Sequence, residues 1–244
     1  MANARQFMAT RTAAWVKSGG WVNPYVTTGL IAMWDGEWNS IGPDGIPVHD
    51  ASSRVWRDLV GSRDFTLTEN PVIRDKYIQS SAQWVSEALD PVDGICTIEV
   101  CCEFNTIGIN QVVFSAKRSG NYGVTRYLFV YDADNKVYFG DNKAAPAVQK
   151  AVRYTMSGVW NEAESSTIDS VYYNSVKQEL GTARFWNVFD SLIIGSGYLT
   201  IERNRFAGKI HSIRLYSVPL TDAQVKANYD VDCLRFDIPA QTVA

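Results

Sequence analysis

The chain has 244 residues, a net charge of −3 and four cysteines, and 12 % of it is aromatic, including eight Trp and twelve Tyr. That length fits one β-rich domain around a single large core, and the charge gives no reason to expect a nucleic-acid partner. No run approaches the roughly 18 apolar residues of a membrane span, and Cys96, Cys101, Cys102 and Cys233 match no C-x-x-C spacing, so they read as reduced thiols.

Residues 1–28 differ from the rest of the chain. Arg5, Arg11 and Lys17 are their only charges, and Phe7, Met8, Ala14 and Trp15 recur about every two helical turns. Gly19-Gly20 and Pro24 break the pattern. The stretch reads as an N-terminal arm with two equal uses. It packs back on its own domain, or it attaches to a partner through Phe7, Met8, Arg11 and Trp15. A transit peptide is a third reading, weakened by the thin apolar stripe. The first twenty residues contain no continuous apolar run, so no secretory signal peptide is expected there. With Met1 as the natural start, the protein is expected to be made in a cytosol and released on lysis; otherwise it belongs at a cell surface or outside the cell.

Gly29–Gly36 (GLIAMWDG) reads as a buried first strand, followed by a Gly-, Pro- and Asn-rich loop to Asp50. Val55 to Gly61 and Phe65 to Leu67 come next. Residues 95–104 alternate cleanly: Cys96, Ile98, Val100, Cys102 and Phe104 share one face, and Thr97, Glu99, Cys101 and Glu103 the other. Further strands are expected at 111–116, 127–131, 136–139, 152–156, 170–173 and 191–195, with Asp132-Ala133-Asp134-Asn135 as a turn.

The stretch Phe206–Phe236 organises the rest. Ile210, Ile213 and Leu215 change parity, which requires a β-bulge or burial on both faces. After Val218-Pro219 a short helix is over-determined. Thr221 and Gln224 make a capping box, Leu220 and Val225 a hydrophobic staple, and Asp222 suits the helix dipole.

The series Phe206, Gly208, Ile210, Ile213, Arg214, Tyr216, Leu220, Thr221 and Tyr229 resembles the closing signature of laminin-G-like, concanavalin A-type jelly-roll domains, the lectin-glucanase group found in phage and gut-bacterial surface proteins. The opening Gly29–Gly36 and Trp56-Arg57-Asp58-Leu59-Val60-Gly61 are similar to that family as well, with Val60 where Ser is usual. The resemblance implies an all-β, two-sheet antiparallel jelly-roll sandwich over 29–236, flanked by the arm (1–28) and a tail (237–244). A domain closed by its own last strand and helix is expected to fold without the arm.

Relatives of this kind include hydrolases with E-x-D-x-E on one strand. Here Glu99-Val100-Cys101-Cys102-Glu103 keeps the outer acids but has Cys101 in the centre. Glu99 and Glu103 lie about 13 Å apart along a strand, whereas retaining glycosidases hold their carboxyl groups about 5 to 5.5 Å apart. They read as two solvated carboxylates. His49 and His211 are far apart in sequence, and His211 reads as packed or superficial. No cofactor is required. Calcium is the one option, since relatives hold an ion at the sandwich rim and Asp132, Asp134 and Asn135 supply oxygens, although a hairpin turn explains them better.

Glycan binding needs exposed rings and planar polar groups. Trp38 with Asn39, Tyr122 and Trp186 are the loop candidates, while Trp34 and Trp56 belong to the core. The function expected is therefore non-enzymatic: a glycan-binding or adhesion module of a phage or prophage virion, assembled through its arm. The rivals are a structural virion protein that binds no glycan (capsid decoration or a tail-fibre subunit) and, third, a glycoside hydrolase.

Overall fold

A computed structural model of the chain describes residues 21–67, 72–80, 84–86, 95–117, 125–131, 136–139, 142–144, 147–160, 168–178, 191–195 and 205–238. These residues form an all-β sandwich of two antiparallel eight-stranded sheets. In the first sheet the order is Val176–Gln178, Ile168–Tyr173, Arg153–Trp160, Thr97–Phe104, Gly208–Tyr216, Tyr77–Ser80 and Val72–Arg74, and Leu30–Asp35 also pairs with Gly208–Tyr216. In the second it is Asn142–Ala144, Val137–Phe139, Thr125–Tyr131, Gln111–Lys117, Ser191–Ile194, Trp84–Ser86, Phe65–Thr66 and Val55–Trp56. The loop expected after Gly36 holds a small hairpin, with Ser40 opposite Val48 and Ile41 opposite Pro47.

The core lies between the sheets and obeys the alternation read from the sequence. Ile98, Val100, Cys102 and Phe104 point inward with Ile210, Ile213 and Leu215, against Val113, Phe114, Leu192 and Ile194 of the second sheet. Trp34, Phe65 and Trp56 fill one end, with ring centroids 4.7 Å and 6.3 Å apart. A buried indole must place its N–H. Trp34 donates to the Arg63 carbonyl at 2.7 Å and Trp56 to the Asp35 carbonyl at 2.8 Å. The parity change in the last strand is a bulge: Ile210 faces Cys102, Ser212 faces Cys101, and His211 is the extra residue between them. Gly208 permits the close approach at the strand's start, since a Cβ there would strike the Glu103 carbonyl oxygen and the Phe206 ring.

Helix α1 (Asp222–Phe236) comes next, and its start is as expected. The Thr221 hydroxyl accepts from Gln224 N, Gln224 Oε1 accepts from Thr221 N, and Leu220 and Val225 share one apolar cluster. The helix is longer than expected, at 15 residues or about four turns. Its inward face continues through Asn228, Tyr229, Asp232, Arg235 and Phe236, so half of that face is polar and the apolar period fades after Tyr229. Lys76 Nζ donates to the Arg235 carbonyl at 2.8 Å and takes one of the last free carbonyls.

Of the expected arm, residues 21–28 are described, and they are built into the domain. Tyr25 is buried, and Val26 N donates to Asn228 Oδ1 of α1 at 2.9 Å. Phe7, Met8, Arg11 and Trp15 lie outside the described residues.

Candidate functional site

The alternation of Thr97–Phe104 sends Glu99, Cys101 and Glu103 to the outer face of the first sheet. The expectation that the two glutamates are solvated there is not met: every residue of the strand is buried, because α1 and residues 21–28 cover this face. Strand register then decides the partners. Glu99 stands between Arg214 on one side and Ser157 on the other, and Glu103 between Lys209 and Arg153. Lys209 Nζ lies 2.6 Å from Glu103 Oε1, and Arg153 Nε 3.5 Å from Oε2.

The layer beneath the helix is a fully buried polar network. Arg214 forks onto Asp232, with Nη1 to Oδ1 at 2.8 Å and Nη2 to Oδ2 at 2.7 Å. Its Nε donates to Glu99 Oε2 at 2.9 Å. Asn228 is a junction: its amide donates to Glu99 Oε2 at 2.7 Å and to the Tyr216 hydroxyl at 2.9 Å, while its oxygen takes Val26 N. Tyr25 donates to Asp232 Oδ1 at 2.8 Å, accepts from Arg235 Nη1 at 2.9 Å, and lays its ring 4.0 Å from the Arg214 guanidinium. Burial, first of all, keeps the Tyr25 phenol protonated, with Arg235 opposing and Asp232 adding to the rise. Geometry of this quality is what a buried ion pair needs to offset desolvation.

Towards solvent the same pattern repeats. Arg235 forks onto Asp35 at 2.6 Å and 2.9 Å and reaches Glu37 at 2.8 Å, where the Glu37 side chain is 30 % exposed. The guanidinium lies 4.0 Å from the Trp38 ring centroid, and Trp21 meets Trp38 edge-on at 6.0 Å. Asp35 Oδ1 also accepts from Glu37 N and Trp38 N, which fixes the turn that presents Trp38. Trp38 is half-buried. Cationic and aromatic groups therefore alternate from Arg214 through Tyr25 and Arg235 to Trp38 at the rim.

Asn39, expected to meet sugar hydroxyls, is buried, and both ends of its amide are used: Nδ2 donates to the Asp50 carbonyl and Oδ1 accepts from Asp50 N, each at 2.8 Å. It closes the loop, and its burial keeps it from a ligand at the surface. Tyr122 and Trp186 lie outside the described residues, as do Asp132, Asp134 and Asn135. Among the described residues no group of three or more His, Cys, Asp or Glu side chains is arranged to hold a metal. The four cysteines are free thiols, three of them buried. Burial pushes the Cys101 and Cys102 thiols up, away from reactive thiolate.

His211 is packed, not superficial. Its Nδ1 lies 2.8 Å from the Lys76 carbonyl, so Nδ1 carries the proton, and Nε2 is buried without a hydrogen-bond partner among the described residues. Its ring sits between Phe236 and Tyr77, with centroids at 5.0 Å and 5.7 Å. Burial dominates and lowers its pKa to about 4.

Tyr25, Asn228, Asp232 and Arg235 hold this region together, and none stood out in the sequence. The available signal was their spacing: residues 228, 232 and 235 continue the helical stripe begun by Val225.

No protein-family model matches the chain, and no characterised protein matches it at the level of sequence. Solved structures do match. A mutant of the Trypanosoma rangeli sialidase with trans-sialidase activity superposes with a TM-score of 0.62 at 14 % identity, over 94 % of this chain and 39 % of the sialidase. The same enzyme in complex with sialic acid gives a TM-score of 0.61 at 14 % identity, over 94 % and 39 %. The carbohydrate-binding module CBM40 of the Ruminococcus gnavus IT-sialidase, bound to α2,3-sialyllactose, gives a TM-score of 0.44 at 16 % identity, over 56 % of this chain and 83 % of the module. The chain thus spans about two fifths of the sialidases it resembles, and the likeness to them is one of fold.

Proposed function

We propose that this chain is a non-catalytic glycan-binding sandwich of the laminin-G-like type, which works as one part of a larger protein or particle. The observation that carries the reading is the fate of the carboxylates. A laminarinase-like glycosidase needs an acid and a second carboxylate facing the scissile bond. Glu99 and Glu103 are instead buried and committed to Arg214, Asn228, Lys209 and Arg153. What the covered sheet leaves for a sugar is its rim, where Trp38 is held by Arg235 and the Asp35 turn and offers an aromatic surface to sugar C–H groups. The sialidase of similar fold was solved with sialic acid, which makes sialylated glycans the first ligands to test.

The finer reading puts the domain on a phage or prophage virion, assembled in the host cytosol and attached through Phe7, Met8, Arg11 and Trp15. It rests on the resemblance to domains from such sources and on the all-basic arm. The rival is a structural virion subunit that binds no glycan.

Calorimetric titration with sialic acid, sialylated and neutral oligosaccharides tests the proposal. Wild-type protein is expected to bind at least one class, and Trp38→Ala to lose that binding while keeping a cooperative melt. Wild-type protein that binds none of them, yet assembles into higher oligomers, overturns the glycan reading and supports the structural one.

A further inference from the structure

The polar layer beneath α1 holds more buried acid than buried base. Arg214 and Arg235 face Glu99, Asp232 and Asp35, all three of which are completely buried, and Glu37, which reaches solvent. Among the described residues, three buried acids against two guanidinium groups leave one negative charge uncompensated, and an uncompensated charge in the interior costs far more than a neutral acid does.

Donor counts point to the group that gives way. An ionised carboxylate accepts about four hydrogen bonds. Asp232 receives Arg214 Nη1 and Nη2, the Tyr25 hydroxyl and, at 2.8 Å, the Thr155 hydroxyl. Asp35 receives Arg235 Nη1 and Nη2, Glu37 N and Trp38 N. Glu99 is served unevenly: among the described residues Oε2 takes Arg214 Nε and Asn228 Nδ2, while Oε1 meets just the Ser157 hydroxyl at 3.1 Å. A hydroxyl accepts as readily as it donates.

We propose that Glu99 is a neutral carboxylic acid at neutral pH, with its proton on Oε1 and donated to Ser157, and that this proton makes the helix layer a clamp that tightens as pH falls. The groups facing Glu99 come from four elements. The closing strand brings Arg214, Ser212 and Tyr216; the 153–160 strand brings Ser157 and Thr155; α1 brings Asp232 and Asn228; and residues 21–28 bring Tyr25, over Arg214. Among the described residues that face Glu99 only Arg214 is cationic, and Asp232 has claimed both its terminal nitrogens. Burial pushes the Glu99 carboxyl up, Arg214 pulls it partly back, and Asp232 adds to the rise. Above the unfolded carboxylate value of about 4.3, the folded state keeps a proton that the unfolded chain has lost, so stability falls as pH rises.

Glu99→Gln copies the neutral acid and cannot titrate. Denaturant unfolding of full-length wild type and Glu99→Gln at pH 5, 6 and 7 is the test. The wild-type folding constant is expected to fall about tenfold per pH unit relative to the variant. Difference infrared spectroscopy at pH 7 is expected to show one protonated-carboxyl carbonyl band in wild type that the variant lacks. A constant ratio across this range, or no such band, overturns the proposal. If Glu99→Gln does not fold, carbon NMR of the glutamate carboxyls in wild type decides: one glutamate still protonated at pH 7 sustains the assignment, and none refutes it.

Discussion

Replacing Tyr25 with Phe removes one oxygen from the centre of the buried network and leaves the rest in place. Two hydrogen bonds to charged groups disappear: the one donated to Asp232 Oδ1 and the one accepted from Arg235 Nη1. Bonds of this type are each worth about 1.5 to 3 kcal/mol. Both partners keep other bonds, Asp232 Oδ1 to Arg214 Nη1 and Arg235 Nη1 to Asp35 Oδ2, so neither charge is stripped and the lower end applies to each. The ring remains over Arg214. The loss is therefore about 3 kcal/mol. Urea slopes reach about 3 kcal/mol per M for sizeable chains, which makes this a midpoint shift of about 1 M. Equilibrium urea unfolding, followed by tryptophan fluorescence and far-ultraviolet circular dichroism together, reads it. A midpoint unchanged within about 0.2 M would mean that Tyr25 is not wedged between Asp232 and Arg235, and the role assigned to residues 21–28 would fall with it.

Deletion through Thr28 removes the Tyr25 ring, the Val26 bond to Asn228 and the cover over Arg214. It is expected to give an insoluble or much less stable protein, whereas deletion through Gly20 keeps a cooperative melt and, on the attachment reading, weakens self-association in sedimentation. Thr221→Ala breaks the capping box and should cost about 0.5 to 2 kcal/mol in denaturant melts; no measurable change would remove the capping argument. His211 has a folded pKa depressed to about 4, so the unfolded chain binds the extra proton between pH 6.5 and about 4, and stability is lost as pH falls through that window. The full span is worth about 3 kcal/mol, and comparison of His211→Gln with wild type at pH 4.5 and 7 isolates it. Glu99→Gln and Glu103→Gln are expected to leave activity on β-glucans at background; hydrolysis by the parent that either change abolishes would overturn the non-catalytic reading.

Local patterns carried a great deal of this protein. Alternation from Cys96 to Phe104 separates two faces, the parity change before Ile213 requires a bulge or burial on both faces and is met by the bulge at His211, and Thr221 with Gln224 specifies where α1 begins. Each is a matter of neighbours within a few residues, where backbone geometry alone sets which side chains meet. Tertiary structure decided what lies over the second face. Glu99, Cys101 and Glu103 alternate as a solvated edge would, because alternation tells two faces apart without saying what covers either. Arg214 and Asp232 come together only when α1 folds back onto the sheet, and Tyr25 only when a segment about 200 residues distant in sequence threads beside Arg235. Half of the inward helix positions are polar, so the apolar period alone does not reveal its full length. Charges become safe to bury only once their partners are fixed in space, and that pairing is a property of the assembled layers, not of any one stretch of chain.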